Sequence, residues 1–410
     1  MKDGKASVIP ELCIDCGSCL RVCPTGAIQA TTRSFADLDK FRYKVAVPSP
    51  VLFGQFPMAI SPAHIVAGLH CIGFDAVWDF SAELALANRA LLEYVDRWKG
   101  PYPLISVYCP VIVRLVQVLY PDMVDQLIRV QLPRELAARE LKRKYSEELG
   151  IDQGEIAAVY ITPCQAKTIS ILAPAEGGKS SLDGAVGISD IYNDLLAHAQ
   201  AMDEEETKKL LEGRMRSGEL LRWSISGRQR RDLSRHGYMS VTGLPNVIQV
   251  LDDIEKGKLS NVEFVECHAC WGGCIGGNLA VDNVYVTRGK VRRLMSQLPD
   301  HDTTLEEQVD RRYPKEDFTL KGDVKPRTVG ISTAGLKDRI KRKKTEEAMI
   351  KALPGLDCGL CGAPTCETFA KDVAMGQAQK TECVFLSDKQ LERLRKIYPC
   401  GEREAPEDGS

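Results

Sequence analysis

No long apolar run occurs in this sequence. Its most hydrophobic stretch, Leu104 to Tyr120, carries Arg114 inside it and is shorter than the roughly 20 apolar residues that a bilayer-crossing helix needs. A membrane span is therefore not expected. The first residues, Met1-Lys-Asp-Gly-Lys-Ala-Ser7, hold no apolar core of the export type, so the expected location is the reducing cytoplasm. Excess charge is lacking as well: 54 Lys and Arg stand against 56 Asp and Glu, a formal net charge of −2. Nothing in that balance suggests nucleic acid or an anionic membrane as a partner. Kinase, DNA-binding and nucleotide motifs are missing too. The nearest approach to a phosphate loop is Ala173-Pro-Ala-Glu-Gly-Gly-Lys-Ser-Ser181. The first glycine of that motif would fall on Ala173, and no strand directly precedes it.

What the sequence has in quantity is cysteine, fifteen in 410 residues. In a reducing compartment that number argues for metal rather than disulfides. Twelve of them fall into three groups of four, leaving Cys71, Cys267 and Cys400. The first group, Cys13-x2-Cys16-x2-Cys19-x3-Cys23-Pro24, is the bacterial ferredoxin run for a [4Fe–4S] cluster. In two-cluster ferredoxins the fourth cysteine of such a run serves the other cluster, and this chain has only one run. Either Cys23 closes the same cluster or a distant cysteine such as Cys71 does. The last group is Cys358-x2-Cys361-x4-Cys366-x16-Cys383. Its glycines and Pro364 turn three thiolates round one site, and a helix over 367–379 returns Cys383 to it. A zinc site is the alternative for that group.

The middle group is spread over three short stretches. They are Leu104-Ile-Ser-Val-Tyr-Cys-Pro110, Ala158-Val-Tyr-Ile-Thr-Pro-Cys-Gln-Ala-Lys167 and Val262-Glu-Phe-Val-Glu-Cys-His-Ala-Cys-Trp-Gly-Gly-Cys-Ile-Gly-Gly277. Each begins as a β-type run and stops at cysteine with Pro or Gly beside it. Ligands in an open α/β sheet sit beyond the carboxyl ends of its strands. Three such ends bring Cys109, Cys164, Cys270 and Cys274 together, although more than 160 residues separate the first from the last. Four thiolates there suit an iron–sulfur cubane. Cys267 and Cys270 could instead be read as half a zinc site.

These stretches resemble the three signature motifs of the [FeFe]-hydrogenases, over about residues 36–300. The resemblance implies a [4Fe–4S] cluster on Cys109, Cys164, Cys270 and Cys274, with Cys274 bridging to a diiron unit that carries CO and cyanide. Lys167 matches the lysine that contacts a cyanide. By the same likeness, Ser49, Pro50, Val51, Pro163, Gly273 and Gly277 line the cofactor pocket. For Ser49, Pro50 and Val51 plain core is an equal alternative. The C-terminal group resembles small [4Fe–4S] domains of corrinoid iron–sulfur proteins and electron-transport subunits, so three cubanes are implied in all.

Departures from the family pattern are informative. The cysteine that relays protons just before the first ligand is Tyr108 here. A phenol titrates near ~10 and a thiol near ~8.5, so Tyr108 is the poorer relay at neutral pH. The methionine two places before Cys270 is His268, read either as a proton-carrying neighbour or as a hydrogen-bonded support. The glutamate three places after the lysine is Ser170. A kept pocket with an altered proton supply resembles the sensory branch of the family. The reading is thus a regulatory hydrogenase-like protein that senses H₂ or redox state and runs 2H⁺ + 2e⁻ ⇌ H₂ slowly. A catalytic ferredoxin-linked hydrogenase, or a Narf-like iron–sulfur protein without the diiron unit, are the alternatives. A redox partner or a signalling protein, of kinase or phosphatase type, would carry the output.

The expected fold is α/β, with mostly parallel sheets, flanking helices and two small iron–sulfur domains. Expected boundaries are a ferredoxin-like domain at 1–35, the hydrogenase-like domain at 36–310, a linker at 311–344, the C-terminal cluster domain at 345–400 and a disordered tail at 401–410. Expected elements include a buried strand with a proline break over 43–53, a strand at 76–79, helices over 83–96 and 123–149, and a strand over 184–188 leading into a capped helix. The charged run Asp203 to Arg231 reads as a solvated face. The polar, proline-broken stretch 298–327 reads as a wrapping segment or a linker. The basic run Lys337 to Lys344 reads as a solvated helix or a dock for an acidic partner.

Overall fold

The computed structural model describes residues 8–23, 25–33, 35–202, 207, 218–229, 232–233, 237–299, 302–327, 336–363, 365–387 and 389–392. Cys400, Pro24, Pro364 and the expected tail at 401–410 lie outside these. The chain divides into two units, residues 1–327 and 328–410.

The first unit is built on two parallel sheets. One contains β1 (Tyr43–Pro48), β2 (Ala76–Val77), β4 (Ile156–Thr162) and β5 (Gly184–Gly187) in the order β2-β1-β4-β5. The other contains β3 (Leu104–Ile105), β6 (Tyr238–Thr242) and β7 (Phe264–His268) in the order β3-β7-β6. All seven residues of β4 are buried, as expected of a central parallel strand covered on both faces. Its register sets Val47 against Tyr160 and Pro48 against Ile161. The Ser49 amide extends that ladder, donating to the Ile161 carbonyl at 2.9 Å. The expected parallel sheets are two in number, and the cysteine stretches are shared between them.

Helices connect these strands, and two of them start directly after Cys109 and Cys164. They include α1 (Ser18–Val22), α2 (Pro62–Cys71), α3 (Ser81–Arg97), α4 (Pro110–Leu119), α5 (Pro133–Leu149), α6 (Gln165–Leu172) and α7 (Ile188–Ala201). Helix α4 begins on Pro110, whose missing N–H is no loss at a first helical position. The expected helix over 123–149 is shorter than read. Pro121–Gln126 forms a 3-10 turn and the helix restarts only at Pro133, because proline favours a helix start and disfavours its interior. Residues 298–327 do wrap the unit: the Gln131 amide bonds the Phe318 carbonyl at 2.8 Å and the Arg327 amide bonds that of Gln117 at 3.0 Å. That segment also contains a helix, Thr303–Arg312, capped by the Asp302 carboxylate.

The charged run Asp203 to Arg231 departs most from expectation. Within its described part Leu220, Leu221, Trp223, Ser224 and Arg228 are all buried. The solvated-face reading fails there because Arg228 has aromatic and acidic neighbours that permit its burial.

The N-terminal cysteine run is part of the first unit. Arg33 donates its amide to the Ala185 carbonyl at 2.9 Å, at the edge strand β5. Arg21 Nη2 donates to the Gly276 carbonyl at 2.6 Å, and Arg114 Nε lies 3.8 Å from Asp15 Oδ2. The second unit has its own small core of Met349, Leu353, Phe369, Ala370, Val373 and Leu386. Helix Leu336–Ala352 carries the basic run. No helix among the described residues is long and apolar enough to cross a membrane.

Candidate metal centre

Strand ends from both sheets deliver the four central thiols. Cys164 follows β4 and occupies the cap position of α6; its amide donates to Thr162 Oγ1 at 3.1 Å. Cys109 lies beyond β3 and caps α4. Cys270 and Cys274 follow β7. All four border a single void of about 290 Å³, part of it open to solvent, with Lys167, His268, Gly273 and Gly277 around it. Its walls are backbone in places where a side chain could not fit. A Cβ on Gly277 would fall 2.2 Å from the Pro163 carbonyl oxygen. Gly273 has φ 93°, the left-handed region that favours glycine. Pro163 itself serves through that carbonyl, which accepts the Leu279 amide at 2.8 Å and ties the third cysteine stretch to the second.

Among the described residues no three His, Cys, Asp or Glu side chains close on one point as a single ion would need. The thiols instead surround a space, an arrangement that fits a multi-iron core better than one zinc ion. Cys267 is not among them. It is buried in β7, with its amide bonded to Ser106 Oγ at 3.1 Å, so the half-zinc reading of Cys267 with Cys270 has no geometric support.

Electrostatics separate Cys274 from its neighbours. Burial pushes Cys109 up to about 11, with the nearby Cys164 thiol adding to it. Burial likewise raises Cys164 and Cys270. Burial opposes ionisation of Cys274 also, and is the largest single influence on it, but Lys167, His268 and Arg228 together hold this thiol well below the ordinary range. Lys167 Nζ lies 3.3 Å from Cys274 Sγ and is 7% exposed. A buried ammonium needs such an anionic partner.

A second void of about 460 Å³ adjoins this pair; Lys167 and Cys274 border both. Ser49, Pro50, Tyr108, Arg134 and Arg228 also line the second. Val51 does not line it: the side chain is fully buried in the core of the first sheet, because the 3-10 turn at Leu52–Gly54 carries it inward. Tyr108 is held edge-on to Trp223, ring centroids 5.0 Å apart. Burial raises its phenol well above the ordinary value. Ser170, in the position of the family glutamate, accepts from Arg134 Nη2 at 2.9 Å and donates to the Lys167 carbonyl at 2.8 Å.

Sequence reasoning missed Glu266. It is completely buried in β7. It receives His268 Nε2 at 2.7 Å, the Tyr238 hydroxyl, and the Gly227 amide at 3.3 Å, with Arg228 Nε 4.0 Å away. Burial opposes its charge, yet Arg228 and His268 together bring its carboxyl down to about 2. All five residues of β7 are buried, but nothing in the sequence told which cations would meet Glu266. His268 thus has the hydrogen-bonded support that was one of its two readings. Its Nδ1 has no partner within hydrogen-bond geometry, while the neighbouring Cys274 and Glu266 favour the protonated ring against the effect of burial. Truncating Glu266 to alanine strands the Arg228 charge. The expected loss is about 3–5 kcal/mol of stability, read as a lower midpoint in anaerobic denaturant unfolding, with Glu266→Gln losing less.

Residues 42–220 and 229–278 match the family described as iron only hydrogenase large subunit, C-terminal domain. The chain belongs to this hydrogenase family. It is 27% identical to the NADP-reducing hydrogenase subunit HndD of Solidesulfovibrio fructosivorans, covering 40% of this chain and 31% of that protein. It is 22% identical to iron hydrogenase 1 of Clostridium pasteurianum, covering 52% of this chain and 44% of that protein. The chain therefore spans less than half the length of these two curated relatives. Among solved structures it resembles an [FeFe]-hydrogenase, HydA1 from Chlamydomonas reinhardtii, with TM-score 0.53 and 17% identity over 72% of this chain and 98% of that one. At that identity the likeness concerns the fold.

Two further iron–sulfur segments flank the hydrogenase domain. Residues 6–29 match a 4Fe–4S binding domain and contain Cys13, Cys16, Cys19 and Cys23. Asp15 and Gly17 turn the run back on itself with φ of 58° and 70°. At Cys23 backbone amides, that of Ile28 foremost, and the Thr25 hydroxyl lower the thiol to about 7. Residues 353–385 match an Fe–S cluster family. There Cys358, Cys361, Cys366 and Cys383 border one void of about 320 Å³. The expected helix runs Cys366–Ala374, and the Asp357 carboxylate accepts the Cys366 amide at 2.7 Å. The protein is a multi-cluster iron–sulfur member of the hydrogenase family.

Proposed function

We propose that this chain is a sensory, regulatory [FeFe]-hydrogenase-like protein: it holds a cubane on Cys109, Cys164, Cys270 and Cys274 and a diiron unit in the adjoining void. The observation that carries this is the pair of voids meeting at Cys274 and Lys167. A cubane-only protein would use the first void and has no need of a second one lined by buried cations. The residues that would hold the diiron unit are Cys274, Lys167, Ser49 and Pro50. When bound, that unit supplies the metal chemistry that interconverts H₂ with protons and electrons.

The chain's own groups set the pace. Cys274 is kept ionised by Lys167, and apolar Phe80, Leu84 and Trp223 limit water in the second void. At the relay position, Tyr108 offers a phenol pinned between Trp223 and Arg228 instead of a thiol. Proton delivery is correspondingly slow, which suits a reporter of H₂ or redox state more than a turnover enzyme. The flanking clusters would pass electrons between the central site and a cytoplasmic redox or signalling partner, a kinase or phosphatase being the expected class.

Infrared spectroscopy of the anaerobically matured protein tests the reading. Bands of bound CO and cyanide are expected. Their absence from protein matured alongside an active hydrogenase would leave a Narf-like electron-transfer or assembly protein with cubanes alone.

A further inference from the structure

Arg228 has no counterpart among the residues to which the sequence pointed, and its surroundings are unusual. It is 5% exposed. Its guanidinium stacks 4.7 Å from the Tyr108 ring centroid and 4.5 Å from that of Trp223. Two aromatic faces are therefore committed to fixing its plane. Nη1 donates to the Trp223 carbonyl at 3.3 Å. Nε lies 4.0 Å from Glu266, close enough to balance charge but too far for a hydrogen bond. Nε and Nη2 are both buried without a hydrogen-bond partner.

A buried guanidinium donor left unsatisfied costs more than an ordinary amide. The arrangement persists only if something in the adjacent void accepts from it. That void is bordered by Arg228, Arg134 and Lys167, with Cys274 its one thiol. Arg134 also has an unpartnered buried Nε. The carboxylates near the two arginines, Glu135 at 3.8 Å and Glu266 at 4.0 Å, offset charge without filling these donor positions. Most of the other side chains around the space are apolar.

We infer that Arg228 is an anion-anchoring residue of the second void, donating through Nη2 to a compact anionic acceptor. The acceptor is a cyanide of the diiron unit or a small free anion of similar size. The first form deepens the proposed function and rests on it; the second does not. Arg228 would then be a contact additional to Lys167. The Tyr108 and Trp223 rings position it, which gives Tyr108 a second task besides replacing a relay thiol.

The experiment has two arms, both with full-length anaerobic protein and with iron content and circular dichroism as controls for folding. In the first, wild type, Arg228→Lys and Arg228→Met are loaded with the diiron unit and compared by infrared. The cyanide bands are expected to shift in Arg228→Met more than the carbonyl bands do, and to return part of the way in Arg228→Lys. In the second, protein carrying its cubanes but no diiron unit is titrated with azide, followed by the azide stretch. Loss of one charge-assisted hydrogen bond is expected to weaken binding about ten- to a hundredfold in Arg228→Met. A shift in the first arm assigns the acceptor to bound cyanide, and an effect confined to the second assigns it to a free anion. Superimposable cyanide bands together with unchanged azide affinity would overturn the assignment. If wild type shows no CO or cyanide bands, the diiron reading fails and the azide arm alone decides. If Arg228→Met does not fold, Arg228→Lys against wild type is judged by the same criteria.

Discussion

Replacing Cys164 with alanine is expected to strip the central cluster from a chain that keeps its two others. In protein prepared without the diiron unit, iron should fall by about four atoms per chain, one cubane's worth. The low-temperature paramagnetic signals of the N- and C-terminal clusters should persist. The reasoning is geometric. Cys164 is the one thiol of the four supplied by the first sheet, whereas Cys109, Cys270 and Cys274 all follow strands of the second. Without it the void keeps ligands on one side only. The parallel change Cys358→Ala should remove a different four irons and leave the central signal intact. Unchanged iron in Cys164→Ala would mean that these thiols do not share a cluster.

The second large effect concerns rate. Tyr108→Cys, matured with the diiron unit, is expected to raise H₂ turnover by about a hundredfold or more, the lower end of what a positioned acid–base group contributes. Tyr108→Phe is expected to leave the rate near that of wild type, since it keeps the ring that packs edge-on to Trp223 and removes only a phenol whose ionisation burial opposes. Rates must be normalised to the intensity of the CO bands, because removing the ring also loosens Arg228 and can lower loading. Equal normalised rates for wild type and Tyr108→Cys would sink the relay argument. The sensory reading would then have to stand on its accessory clusters.

Much of this was legible from the sequence because thiol spacing and strand ends are local signals. Runs such as Ala158 to Thr162 are apolar, β-branched and stopped by Pro163, and each of those facts has one structural meaning. The helices after Cys109 and Cys164 follow for the same reason. Three features were not legible. The division into two sheets depends on which strand pairs with which, and local pattern does not encode pairing. The inward turn of Val51, unlike its neighbours Ser49 and Pro50, depends on a 3-10 turn that begins at Leu52. Arg228 lies in a run of alternating charges, where a solvated face is the ordinary outcome. Its burial comes from Glu266, Tyr108 and Trp223, of which only Trp223 is near in sequence. Long-range charge pairing leaves no periodicity to read.

The seam between the two sheets carries a consequence for the protein's upkeep. An inserted cubane would act there as a rivet, joining two otherwise separate hydrogen-bonded ladders into one cooperative unit. Iron loss would then be felt as breathing along the joint, fastest in amide exchange at Ser49, Ser106 and the turn after His268. Metal supply and conformational lifetime would become a single variable, as they are in other proteins whose folding is completed by metal.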